Sequence, residues 1–257
     1  MRTSRPPVVL ALDASTYRGT VAVLREGRVL ADASTAMRGA DEERLMPAVA
    51  AALDAAGVAV SELAAIVCGG GPGSFTSLRI AGAIAKGLAS ATGAPLLAVP
   101  SIALVAVAGT PEGAQAPAAS ERVLATMDAM RGDRYAALVG VGRDAHGALA
   151  VTAYTFLGVV RGDGVAVLAR SHAADRHVDA GDTAPEARGL RAFALALPDG
   201  GRIGPAAALA LAPVSLAAWE PDYGRKAEAQ VQWELAHGRA LPGGDPHTVA
   251  GYAVERA

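Results

Sequence analysis

"CGGGPGSFTSLRIAGAIAKGLA" occupies residues 68–89. Four glycines and a proline stand directly before a run with helical period. A nucleotide P-loop needs G-x-x-x-x-G-K-[ST], with lysine beside the last glycine. Here Ser74 follows Gly73 and the nearest lysine, Lys86, lies 13 residues on. The dinucleotide pattern G-x-G-x-x-G fails too, because Thr76 stands where the third glycine belongs. Anion binding at the helix N-terminus stays open, through Gly71, Gly73, Ser74 and Thr76. The helix predicted over 75–91 carries one stripe of mostly small residues: Leu78, Ala81, Gly82, Ala85, Leu88 and Ala89. Residues three and four apart share a face. A mid-helix glycine costs about 1 kcal/mol against alanine, so Gly82 and Gly87 suggest a tight neighbour. Packing within its own fold explains the same stripe equally well.

Upstream, "VVLALDAS" (8–15) reads as a strand and "TVAVLREGRVLADAS" (20–34) as a hairpin turning at Glu26-Gly27. Residues 41–57 read as a helix, with Leu45, Val49 and Leu53 in register, Asp41 as cap and Gly57 as terminator. "LAAIVCGG" reads as a buried strand, 94–100 as another, and 101–109 as a helix. The order β-β-β-α-β-α-β-α implies a mixed sheet with helices on its faces. Residues 110–121, rich in Pro, Ala and Gly, mark a boundary. Beyond it, 122–141 and 148–156 spell a second meander, so a second copy of the first plan is expected. Residues 164–170 read as a strand, and 184–196 and 204–212 as helices. The segment 226–257 has weak periodicity and reads as a tail of uncertain order. The domain expectation is therefore 7–109, 110–225 and this tail.

The 257 residues, 52% hydrophobic but only 4% aromatic, permit a sizeable core packed by Ala, Val and Leu. A formal charge of −2 gives no basic field for holding nucleic acid on this chain alone. The single cysteine, Cys68, allows no internal disulfide and fits a reducing compartment. The start shows no signal peptide pattern, and the longest apolar stretch, 203–219, is interrupted by Pro205 and Pro213. A cytoplasmic protein is expected.

Candidate chemistry is sparse. His172 and His177 have four residues between them, which splays them on a helix, and solvated loop positions are expected for both. Asp13, Ser15 and Thr16 follow the first strand in a turn where an acid and two hydroxyls could meet a metal or an anion. That turn lacks the glycine that lets backbone approach a phosphate closely, and Asp13 serves equally well to satisfy turn N–H groups. Cys68 reads as buried packing. Neither a catalytic group nor a metal site is expected, and Arg79 and Lys86 read as solvated helix positions.

Residues 71–79, "GPGSFTSLR", are very similar to the Gly-Pro-Gly-Ser-Phe-Thr-Gly-Leu-Arg signature of the bacterial TsaB (YeaZ) family. "LALDAST" (10–16), "ERLMPAV" (43–49), "MDAMRGDRY" (127–135) and "PDYGR" (221–225) resemble further segments of that family, in order. The resemblance covers about 7–225. It implies an α/β fold with two lobes of the actin, hexokinase and Hsp70 (ASKHA) type, each a mixed sheet flanked by helices. It implies a non-catalytic subunit of the machinery that makes threonylcarbamoyladenosine in tRNA. Its partners would be TsaD, which transfers the group to adenosine 37, the ATPase TsaE, or a second copy of itself. Transfer RNA would be met only through the complex. The resemblance places the partner surface on helices 41–57 and 75–91, and the expected contact residues are Leu45, Val49, Leu53, Leu78, Ala81, Gly82 and Ala85. No cofactor of its own is implied, beyond weak ATP or ADP contact at the partner interface near Asp13, Ser15, Thr16, Gly71, Gly73 and Ser74. Ser77 replaces a family glycine, Asp41-Glu42 replace His-Ser, and Met130 displaces an arginine by one. A small-molecule kinase or carbamoyltransferase of the same fold is the alternative.

Overall fold

The apolar run Val8–Asp13 forms β1, hydrogen-bonded on one side to Arg18–Arg25 (β2), which turns back into Arg28–Ala36 (β3). In this computed structural model the described residues are 6–39, 42–111, 120–225, 233 and 235–239. The Asp41 cap, part of the Asp41-Glu42 pair, most of the expected 110–121 boundary and nearly all of the tail lie outside them. The hairpin turns at Glu26 and Gly27, whose φ values of 51° and 76° match the right-handed strand twist. Helix α1 (Leu45–Ala56) follows, ended by Gly57 in the left-handed conformation, then β4 (Leu63–Gly69) and α2 (Phe75–Thr92). β5 (Leu96–Val99) and α3 (Ser101–Ala108) complete the first 109 residues. The sheet order is β3-β2-β1-β4-β5, with β4 parallel to β1. The Glu43 carboxylate, rather than a cap residue's side chain, accepts the first free amides of α1, from Leu45 and Met46.

Strand alternation sends one set of residues to each face. Leu10, Leu12, Val21, Val23 and Ile66 pack beneath α1 and α2. Val9, Ala11, Leu24 and Val67 pack toward α3. Apolar on every side, α3 is buried along Ser101–Val107, as a helix enclosed by other elements must be. It separates the first sheet from a second.

That second sheet is β6 (Glu121–Asp128), β7 (Asp133–Arg143), β8 (Leu149–Arg161) and β9 (Arg176–Asp179), in order β8-β7-β6-β9. β6-β7-β8 is an antiparallel meander and β9 is parallel to β6. The plan repeats β3-β2-β1-β4, as expected, but the repeat is abbreviated. A three-stranded sheet follows, β10 (Ala194–Ala196), β11 (Arg202–Ile203) and β12 (Ala210–Leu211).

Three expected elements differ. Residues 164–170 were read as a strand but contribute to α4 (Val165–Ser171). β8 and β9 are both parallel to β6, so the connection must cross over the sheet, and topology overrides the β-branched Val165 and Val167. Residues 184–196, read as a helix, form a 3-10 segment at Ala187–Ala192 that continues into β10. There Gly189 passes so near α3 that a Cβ would lie 3.3 Å from Leu104 and Val107. Residues 204–212, also read as a helix, form a turn leading to β12. Arg202 Nη2 donates to the carbonyls of Ala206 and Ala208 at 3.0 and 2.8 Å, drawing them away from helical pairing. Among the described residues no helix is long and apolar enough to cross a membrane.

The stripe read on α1 and α2 as partner-facing is turned inward. Leu45, Val49, Leu78, Ala81 and Ala85 are 0% exposed and Leu53 is 4% exposed; Leu78 is buried beside Gly71 of the glycine loop and the others lie in the core beneath the helices. Gly82 is buried against Pro221 and Trp219 of the same chain. These seven residues hold the first lobe together and are not a partner surface. Ala85→Glu is therefore expected to lower the melting temperature of the isolated chain by about 10 °C or more, since an unpaired charge would enter the core. A circular-dichroism melt checks this.

Candidate functional site

Three segments far apart in sequence meet at the C-terminal ends of β1, β4 and β6. They are the glycine loop, the turn 128–135, and 219–225. Asp222 N–H donates to Gly70 carbonyl at 2.7 Å. Gly71 has φ 92°, and a Cβ there would lie 1.9 Å from the Asp222 carbonyl oxygen. Gly224 has φ 69° and sits between Pro72 and Tyr135, where a Cβ would approach to 2.7 and 2.4 Å. Tyr135 hydroxyl donates to Tyr223 carbonyl at 3.0 Å, and Arg225 pairs with Asp133 at 2.6 Å. The Phe75 and Tyr223 rings lie 4.5 Å apart. The segment 219–225 thus pins the glycine loop to the second lobe.

Three of the loop's amides are engaged within the chain itself. Gly70 N–H donates to Val99 carbonyl at 2.8 Å, and Gly71 N–H to Ser101 Oγ at 3.0 Å. Ser74 N–H donates to Ser15 carbonyl at 2.7 Å. At Gly73 a Cβ would lie 2.1 Å from that same carbonyl oxygen, so only glycine lets the two loops touch. Ser77 is buried, and its hydroxyl lies 3.0 Å from that of Ser74. The departure from glycine at 77 therefore braces the loop. A phosphate cradle needs free convergent N–H groups, and the amides of Gly70, Gly71 and Ser74 are engaged.

Asp13 is wholly buried. Its Oδ1 accepts from Ser15 N–H at 2.9 Å and Ser15 hydroxyl at 2.7 Å. Oδ2 fills a notch over Gly69, where a Cβ would clash at 1.9 Å, and completes no well-formed hydrogen bond. Burial pushes the carboxyl above its ordinary value; the Ser101 and Ser15 groups lower it but do not offset burial. Burial, with Asp13 adding a smaller effect, likewise pushes the Cys68 thiol upward, leaving it a packing group.

Beside the pin a cleft of about 580 Å³ opens between the lobes. Ser15, Thr16, Gly73 and Ser74 line it; Asp13 and Gly71 do not. Two of its arginines are paired by carboxylates. Arg134 lies 3.8 Å from Asp128 and 3.7 Å from Asp179, and Arg225 holds Asp133. Arg38 stacks on Tyr17, its guanidinium carbon 3.3 Å from the ring centroid. Sequence reasoning missed this cleft, because its wall at 127–135 becomes adjacent only through the pin. His177 is on β9, not in a loop, with Nε2 2.8 Å from the Thr126 hydroxyl. His172 follows α4. Among the described residues no group of three His, Cys, Asp or Glu is placed to share a metal ion.

The outward faces of α1 and α2 lie side by side above the first sheet. Met46, Pro47, Ala50 and Ala51 are exposed on α1. On α2, Ala83 and Gly87 are exposed, with Ile80 and Ile84 half-buried. A Cβ on Gly87 would meet nothing within 4 Å. Gly82 has a reason inside the chain; among the described residues Gly87 has none.

Two related sheets, a buried helix between them and a cleft at matching strand ends define a two-lobed α/β protein of the actin, hexokinase and Hsp70 type. The family model of TsaD, tRNA N6-adenosine threonylcarbamoyltransferase, matches residues 36–159. The tRNA threonylcarbamoyladenosine biosynthesis protein TsaB of Bacillus subtilis is 39% identical over 101 residues, 39% of this chain and 44% of that protein. Escherichia coli TsaB is 34% identical over 127 residues, 49% of this chain and 52% of that protein. The matched stretch thus spans about half the length of these relatives. The structure of YeaZ from Pseudomonas aeruginosa superposes with a TM-score of 0.54 and 30% identity, covering 72% of this chain and 88% of that one. The chain belongs to the TsaB (YeaZ) family.

Asp13→Asn tests the buried carboxyl. A raised folded-state pKa means a loss of stability that sets in as pH rises above the ordinary carboxylate value, is complete above the raised value, and is absent once the group is protonated in both states. The variant is expected to melt higher than the parent at neutral pH, with the gain vanishing as pH falls through the ordinary carboxylate range. Melting curves across pH check the sign.

Proposed function

We propose that this chain is the non-catalytic partner subunit of the complex that installs threonylcarbamoyl on adenosine 37 of tRNA. It supports a TsaD-type transferase through the outward faces of α1 and α2. Membership of the TsaB family supports the pathway. Gly87 carries the choice of surface: a mid-helix glycine costs about 1 kcal/mol against alanine, and nothing among the described residues crowds it. A partner backbone approaching closely over Ala83 and Gly87 gives that cost a purpose. Ala50, Ala51 and Ala83 keep the rest of the face low enough for helix-on-helix contact.

The engaged loop amides and the paired cleft arginines speak against the alternative, a self-sufficient kinase or carbamoyltransferase. ATP or ADP contact, transfer RNA and TsaE belong, in this reading, to the assembled complex. A second copy of the chain competes for the same face.

Gly87→Ala is expected to raise the melting temperature of the isolated chain slightly. Gly87→Arg is expected to leave the fold intact and abolish co-purification with the cognate TsaD. Undiminished co-purification of the arginine variant, with normal threonylcarbamoyladenosine in tRNA, would show the face to be wrongly assigned.

A further inference from the structure

At the end of both sheets away from the glycine loop, four remote segments surround a second hollow of about 700 Å³. The β2–β3 turn brings Arg28 and Glu26, and the β7–β8 connection brings Arg143 and Asp144. Arg191 comes from the 3-10 segment and Arg202 from β11. Four arginines and two carboxylate residues thus line one space. Asp144 is already engaged, its Oδ1 accepting from the N–H groups of His146 and Ala148, both at 2.9 Å.

Two of the arginines are held in place before any ligand arrives. Arg143 Nη1 donates to the Gly147 carbonyl, and Arg202 Nη2 to the carbonyls at 206 and 208. Arg28 is exposed and has no hydrogen-bond or ion-pair partner among the described residues. Between the charges the wall is apolar. Leu149 and Ile203 line the hollow and rest on the main core. The volume falls within the range of small-molecule sites, roughly 300–1,000 Å³. A guanidinium fork matches the planar oxygens of phosphate and carboxylate; Arg143, held through Nη1 alone, keeps its Nε–Nη2 edge and is ordered before binding, while Arg202, its Nη2 committed to carbonyls, adds charge rather than a fork.

We propose that this hollow binds a small molecule bearing two anionic groups, phosphate or carboxylate, on a compact apolar body. The site is separate from the interlobe cleft and from the α1–α2 face, and its test requires no partner protein. Failure here therefore leaves the subunit reading untouched, and the reverse.

The full chain is titrated with pyrophosphate and with citrate at low ionic strength, read by calorimetry and by thermal shift. Binding at millimolar concentration or below is expected for at least one probe, weakening as potassium chloride is raised. The better probe identifies phosphate or carboxylate as the preferred group. Arg28→Ala, at an exposed turn, is expected to weaken binding about tenfold. Arg28→Lys, which keeps the charge and loses the fork, is expected to fall between. Arg38→Ala, in the interlobe cleft, is expected to change nothing. Absence of binding for both probes, unchanged affinity in Arg28→Ala, or an equal loss in Arg38→Ala would each overturn the proposal.

Discussion

The structure depends on one contact set: the short segment 219–225 crossing from the first lobe to the second over the glycine loop. Trp219 is buried under α2, and the Asp222 amide closes on Gly70. Gly224 fits between Pro72 and Tyr135, and Arg225 reaches Asp133. Each step uses a residue type with no ready substitute. Gly71 and Gly224 combine positive φ with space for no Cβ, and Arg225 supplies a long cationic reach. The pin sets the loop's shape and the cleft's floor, and with α3 it fixes the separation of the lobes.

That constraint answers what the glycine-rich stretch is for. Its flexibility serves close approach between pieces of the same chain, since Gly69 admits Asp13, Gly71 admits Asp222 and Gly73 admits Ser15. With the Gly70, Gly71 and Ser74 amides engaged, the loop launches and anchors α2. The two lobes then differ in what they offer outside. The first presents two full helices side by side; the second sheet, among the residues described up to 225, carries the seven residues of α4. The asymmetry puts the chain's broad apolar helical face on one lobe.

The first lobe was legible because period and punctuation agreed. Glu26-Gly27, Gly57 and the loop before Phe75 mark each boundary, and the apolar residues between them follow the expected period. The second lobe's meander was legible for the same reason, from a turn read at 131–133 where the positive-φ residues are Met130, Arg131 and Gly132. Beyond 160, composition misled: alanine-rich runs suggested helices where Gly189 and Arg202 impose other backbone paths. The α2 stripe was correctly located, but periodicity does not say which side of a helix is covered. A stripe of Leu and Ala seals onto the sheet, while the residues left outside, Ala83 and Gly87, carry a weaker signal. Asp13 was legible as a turn-closing residue. Its burial was not, because that comes from Gly69 and Ser101, 56 and 88 positions away.

The central claim is that the external contact is made by the outer faces of α1 and α2 and not by the interlobe cleft. Hydroxyl-radical footprinting of the chain, free and mixed with the cognate TsaD, tests it directly. Met46, Ile80 and Ile84 are expected to become protected on mixing, while Tyr17 and Met130 in the cleft keep their reactivity. Protection of Tyr17 and Met130 with Met46 and Ile84 unchanged would contradict the account.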